Sequence, residues 1–265
     1  MHFITFKKCI MNETEGYVKT VVHQQVGSIE FYHPQSNSLP GLLLEELAKA
    51  INRAAYDPEI KVIVLRSAGE KIFCAGASFE ELAAIDNIEK GKKFFLGFAH
   101  VINAMRKCPK FIIGRIHGKC VGGGVGLASA ADYCIATEKA EIKLTELAIG
   151  IGPFVIGPAV ERKIGLSAFS QLAIDTTIWR SADWAKRKGL FAETHTSPEE
   201  MDESIGKLTL ALSRFNPEAM AEMKKVFWRG HENWDTLLDE RASVSGRLVT
   251  SEFTREAISN FKNKG

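Results

Sequence analysis

An α/β fold built on a parallel sheet is predicted by a pattern that occurs twice in the chain: a short strand, a loop of small residues, then a helix. The first round runs from Val62-Ile63-Val64-Leu65 through Phe73-Cys74-Ala75-Gly76-Ala77-Ser78 to a helix over about 89–107. The second runs from 111–116 through Gly122-Gly123-Gly124 to the small, mostly apolar run 125–131. Val62–Leu65 is a continuous apolar stretch of the kind found in strands buried on both faces. In such sheets ligands collect beyond the carboxyl ends of the strands, which is where both loops fall.

Taken in order, residues 18–32 carry β-branched and aromatic residues around Gly27 and predict a hairpin. The polar cluster His33–Ser38 reads as a turn. From Leu42 to Tyr56 apolar residues recur at helical spacing, and Asp57-Pro58 stops that helix. The helix over 89–107 places Phe94, Phe95, Phe98, Val101, Ile102 and Met105 on one face and ends at Pro109. The strand at 111–116 is expected to lead into the three glycines. Tyr133–Thr137 is a further strand, Glu141–Glu146 alternates, and Gly150–Pro158 holds too many turn formers for a regular element. Helical signals resume at Ala159. Ser197-Pro198-Glu199-Glu200 is a capping box with proline at N1, Asn216-Pro217 repeats the cap-plus-proline signature, and the rest of the chain to Lys264 reads as helix and connector. That tail is too thin for a core of its own and is expected to pack on the main domain or on another subunit.

The chain has 265 residues, 45% of them apolar and 25% charged, which suits a soluble globular protein and excludes a disordered or fibrous one. A formal net charge of +2 makes no general case for nucleic acid or membrane surface. The basic runs 90–93 and 186–188 read as solvated helix faces. Cys9, Cys74, Cys108, Cys120 and Cys134 are odd in number and lack CxxC spacing, so neither a disulfide framework nor a metal site is expected. No apolar run reaches the roughly 18 residues of a membrane span. The first residues fit neither a secretory signal nor a transit peptide, and a reducing, cytoplasmic setting is expected.

Three successive glycines are entropically costly, so Gly122–Gly124 implies a sharp turn or a close approach. A glycine turn feeding a helix N-terminus aims free N–H groups and positive partial charge at whatever lies in front, which suits an oxyanion. Taken alone, the glycines favour a packing role. A dinucleotide fingerprint fails because Ser129 stands where its third glycine or alanine belongs, and no Walker lysine follows. With Ala77 just past one strand end and Gly123 past the other, two backbone N–H groups from separate loops can converge on one oxygen.

The segments FCAGAS at 73–78, HGKCVGGGVGLA at 117–128 and LTELAIGIGP at 144–153, in this order, resemble the crotonase superfamily of enoyl-CoA hydratases and isomerases. The likeness extends to Pro34–Leu39, Ala182–Phe191 and Ala257–Lys262. It implies a spiral of ββα units with two roughly perpendicular sheets, divided into an acyl-CoA-binding core over 1–196 and a helical oligomerisation region over 197–265 that builds trimers or hexamers. It also implies an acyl-CoA substrate, with coenzyme A entering as part of the substrate and no separate cofactor or metal. The implied oxyanion hole is made by the N–H groups of Ala77 and Gly123, and the implied catalytic acid is Glu146. Cys74, Ala75, Gly76, Gly122, Gly126 and Pro153 are implied substrate contacts, and Phe261 and Lys262 are implied tail contacts to coenzyme A.

Hydratases of this family place a first glutamate two residues beyond the glycine triplet, where this chain has Gly126. Adding water normally uses two carboxylates, whereas moving a proton between two carbons requires one base. The resemblance therefore implies 3-enoyl to 2-enoyl isomerisation ahead of hydration, with Glu80 or Glu81 as candidate second acids should the chain hydrate. Ser78 stands where an acid is common and His117 where asparagine is usual. A non-catalytic acyl-CoA-binding protein is the alternative of a different class. RNA binding, known in one branch of the family, gains little from the near-neutral charge.

Overall fold

The computed structural model describes residues 6–8 and 16–262. The reading of the first residues and of Cys9 lies outside them. Strands β1 (Phe6–Lys8), β2 (Tyr17–His23) and β3 (Val26–Tyr32) pair antiparallel. The hairpin turns at Gln24-Gln25 and not at Gly27. Both glutamines have positive φ, 48° and 64°, which gives a two-residue turn whose twist matches the strands. Gly27 lies inside β3, where a Cβ would stand 2.7 Å from Ile60 Cδ1.

After α1 (Gly41–Tyr56), whose buried stripe is Leu43, Leu44, Leu47 and Ile51, three rounds of strand, strand and helix follow. The first is β4 (Val62–Ser67), β5 (Ile72–Cys74), then α2 (Phe79–Ala84) and α3 (Ile88–Lys107). The second is β6 (Ile112–Ile116), β7 (Lys119–Val121) and α4 (Gly123–Ala130). The third is β8 (Tyr133–Thr137), β9 (Ile142–Lys143), a 3-10 turn Leu147–Ile149 and α5 (Gly157–Ile174). In each round the first strand enters a seven-stranded sheet, where β4, β6 and β8 pair parallel side by side. The second enters a three-stranded parallel sheet ordered β5-β7-β9. The chain thus advances by one strand in both sheets per turn, which is the ββα spiral that the sequence resemblance implies.

Two details differ from the sequence expectation. The glycine triplet follows β7, a strand of the small sheet, rather than β6 directly. A further strand, β10 (Glu193–His195), comes after α6 (Ala182–Arg187) and pairs parallel with β8 at the sheet edge. With three residues it is too short to show a period in sequence.

The C-terminal region is α7 (Pro198–Leu212), α8 (Pro217–Phe227), α9 (Trp234–Val249) and α10 (Glu252–Lys262). The caps predicted for α7 and α8 form, with the Ser197 hydroxyl accepting from Glu200 N–H and the Asn216 side chain from Glu218 N–H. Met201 and Ile205 of α7 close a second apolar cluster over Val62, Val64, Ile113 and Ile135 on the large sheet. Helix α9 lies along α3, and the two approach so closely at Gly91 and Gly246 that a Cβ on Gly91 would stand 2.8 Å from Gly246 O.

Candidate active site

The first loop owes its shape to the polar turn at 33–39. Ser36 and Asn37 have positive φ, 56° and 54°, and Asn37 is buried. Its amide donates to Ala68 O at 2.7 Å and to Ile72 O at 2.9 Å, while its Oδ1 accepts from His33 N–H. The turn thereby sits on the two ends of the segment that leads into β5. Leu39 then bridges Ala77: Leu39 N–H donates to Gly76 O at 2.7 Å, and Ser78 N–H donates to Leu39 O at 3.3 Å. Both bonds use the peptide groups flanking Ala77, so its own N–H faces away from Leu39. Ser78 closes the loop as N-cap of α2, accepting from Glu81 N–H, and this role accounts for a serine there.

The second loop turns at Gly122, with φ +49°, and starts α4 at Gly123. Gly76, with φ +86°, abuts it; a Cβ at Gly76 would stand 2.8 Å from Val121 O and 3.2 Å from Gly123 N. Only glycine permits that contact. Among the described residues no hydrogen-bond acceptor takes the Ala77 or Gly123 N–H. Gly123 is the first helical residue, so its N–H carries the helix-terminal positive partial charge.

Both loops open on a cavity together with Glu146, and Ala75, Gly76, Gly122 and Pro153 line it too. The Glu146 carboxyl lies over Gly122, where any Cβ would come within 2.9 Å of Oε1, and its Oε2 accepts from Thr145 N–H at 2.9 Å. Burial pushes the Glu146 carboxyl up to about 7, opposed by backbone N–H groups of Glu146 and Thr145. Among the described residues no lysine, arginine or histidine lines the cavity, and Glu146 is the one carboxylate that does. A carboxyl poised near neutrality beside two unpaired N–H groups can exchange protons with carbon next to a carbonyl whose oxygen the N–H groups receive.

Cys74 and Gly126, also expected at the site, are not among the residues lining the cavity. The Cys74 thiol is fully buried beneath the loop, accepts from Gly76 N–H at 3.3 Å and is pushed up to about 12 by burial. The space beside Gly126 is filled by Ile156. The side chains of Phe261 and Lys262 lie outside the described residues. Glu80 and Glu81 point elsewhere: Glu80 accepts from Gln35 Nε2 at 2.6 Å and Glu81 from Gly41 N–H at 2.6 Å. His117 is buried and lowered to about 4 by burial and by Arg115, so it is neutral, and it does not line the cavity.

The remaining wall was not legible as a site. Phe95 and Phe98 of α3 belong to an ordinary amphipathic stripe, Ser245 comes from distant α9, and Phe154, Val155 and Ile156 come from the irregular run after the 3-10 turn. Positive φ at Gly150 and Gly152, 81° and 80°, folds that run back over the cavity.

A profile of the family described as Enoyl-CoA hydratase/isomerase matches residues 22–265. The chain is 29% identical over 257 residues to the short-chain-enoyl-CoA hydratase of Clostridium acetobutylicum, covering 96% of this chain and 95% of that protein. It is 28% identical over 230 residues to the peroxisomal Delta(3,5)-Delta(2,4)-dienoyl-CoA isomerase of Arabidopsis thaliana, covering 81% of each. Among solved structures, an enoyl-CoA hydratase from Bacillus halodurans superposes with a TM-score of 0.85 at 22% identity, over 92% of this chain and 99% of that one.

Proposed function

The chain belongs to the enoyl-CoA hydratase/isomerase family, and on that premise we propose that it moves a double bond within an acyl-CoA thioester, from 3-enoyl to 2-enoyl. The observation that carries this reading is the Glu146 carboxyl, the one carboxylate among the described residues that lines the cavity, held by backbone N–H groups beside the free N–H groups of Ala77 and Gly123. In the proposed reaction Glu146 removes a C2 proton, and the electron pair left behind is delocalised onto the thioester oxygen, held by the two N–H groups. Glu146 then returns the proton to C4, where the C3=C4 π pair forms the new C–H bond, while the enolate pair moves back from oxygen and closes the C2=C3 bond. One oxyanion donor is worth about 3–4 kcal/mol of barrier, which makes a thioester α-proton accessible to a carboxylate. A pKa near 7 suits an acid that must both take and give the proton at neutral pH.

Hydration through a second acid is the other reading, supported by the names of relatives such as the Clostridium enzyme. The two part in a single assay. Given 3-enoyl- and 2-enoyl-CoA panels, isomerisation conserves mass and appears as conjugated-thioester absorbance, whereas hydration adds the mass of one water. The expected outcome is migration without water addition; efficient hydration of 2-enoyl-CoA by the wild type would overturn it.

We further propose that the 197–265 region assembles trimers or dimers of trimers and that the protein works in a reducing, cytoplasmic setting. Exposed Phe215, Met223, Val226 and Phe227 on and before α8 support the first, and the free, buried Cys74, Cys108, Cys120 and Cys134 are in keeping with the second. Among the described residues no helix is long and apolar enough to cross a membrane.

A further inference from the structure

Ile156 stands between α4 and the cavity. It is 4% exposed, it lines the cavity, and Gly126 behind it does not. A Cβ at Gly126 would lie 2.6 Å from Ile156 Cγ2 and 2.7 Å from Ile156 Cβ. The second of these atoms is the branch point of the side chain, fixed to the backbone, so no change of rotamer clears it. The backbone there is anchored in turn: Ile156 is the N-cap residue of α5, its carbonyl accepts from Val160 N–H at 3.1 Å, and Gly157 N–H donates to Pro153 O at 2.7 Å.

The chemical consequence concerns water. An ordered water needs two to four polar partners, and Ile156 shares the cavity lining with the apolar Val155, Phe98 and Phe154. We propose that Ile156 decides the outcome of the reaction, by holding the α4 wall of the cavity dry and occupying the place that a second carboxylate and its water would need. This rests on the acyl-CoA reading above. With water excluded, the electron pair released from C2–H is recaptured only by protonation at carbon. In hydration, by contrast, water oxygen bonds to C3 and the C2=C3 pair moves to the thioester oxygen. A carboxylate then takes the water proton, and C2 receives a proton from an acid.

The test is the ratio of hydration to isomerisation in the wild type, Gly126→Glu, Ile156→Ala, Ile156→Val and the pair Gly126→Glu with Ile156→Ala. Each is measured beside deuterium exchange at C2 of a saturated acyl-CoA and beside thermal melting. Ile156→Ala should raise the ratio severalfold and Ile156→Val less, which keeps the test available if the alanine variant unfolds. The pair should raise it about 100-fold, the lower end of what one general acid or base supplies. Gly126→Glu alone should stay near the wild-type ratio or lose stability. An unchanged ratio in folded Ile156→Ala and in the pair, with C2 exchange intact, would overturn the proposal, as would Gly126→Glu alone matching the pair. Absence of C2 exchange in the wild type would instead sink the acyl-CoA reading itself.

Discussion

Two acids of this molecule, Asp132 and Glu146, sit in opposite surroundings. Asp132, after α4, meets the Lys224 ammonium of α8 at 2.9 Å and accepts from Ile112 N–H at 2.7 Å, while Lys224 also donates to Lys110 O at 2.8 Å. Both side chains are nearly inaccessible, at 4% and 3% exposed. Among the described residues Glu146 has backbone N–H partners and no cation. A buried charge with its counter-ion is a latch, here holding the C-terminal helices to the large sheet. A buried carboxyl without one stays near its titration point and can do chemistry.

Glu146→Gln breaks the second half of this comparison and should have the largest effect, a loss of about 10²–10⁴-fold in turnover with acyl-CoA binding retained. A loss below tenfold would exclude Glu146 as the base. In the wild type, kcat/KM should fall as pH drops through about 7, because the proton-accepting form disappears.

Lys224→Met breaks the first half. Removing one partner of a buried pair typically costs about 3–5 kcal/mol because the other is left uncompensated. Urea melts should show that loss, and Lys224→Met with Asp132→Asn should recover part of it. A change below about 1 kcal/mol would mean the pair is no latch.

The pH dependence of stability sharpens the contrast. Glu146 titrates near 7 in the folded chain and near 4.5 in the unfolded one, so between those values the folded state holds the extra proton. Stability is therefore lost as pH rises from about 4.5 to 7. Glu146→Gln removes this penalty and should be more stable than wild type at pH 8, by up to about 3 kcal/mol at 1.36 kcal/mol per unit, and equal to it near pH 4. An equal difference at both pH values would contradict the burial effect.

The smallest effect tests the α3–α9 contact behind the Glu146 cavity. Gly246→Ala would place a Cβ 2.5 Å from Lys92 N and 2.9 Å from Lys92 Cα, both backbone atoms, so α9 must move off α3. Overpacking of this kind costs about 1–3 kcal/mol, and because Ser245, Phe95 and Phe98 line the cavity, KM should change more than kcat. No change in either melting or KM would show that the helix contact yields freely.

The sequence by itself determined the elements whose signal is local. Helical stripes such as Leu43–Leu44–Leu47–Ile51, the caps at Ser197 and Asn216, and the apolar run at Val62 each follow from neighbours within one or two turns of chain. The motif order also singled out Ala77, Gly123 and Glu146 as candidates, and the glycines beside them answer to backbone approach: Gly76 against Val121 O, and Gly122 under the Glu146 carboxyl. Only the tertiary structure decided what lies across the cavity. That Ile156 covers Gly126, that Ser245 arrives from α9, that Asn37 braces the first loop, and that Lys224 reaches Asp132 are contacts between residues far apart in sequence. An isoleucine, a serine or a lysine has the same local propensities wherever its partner lies, and its role is set by the packing that brings the partner to it.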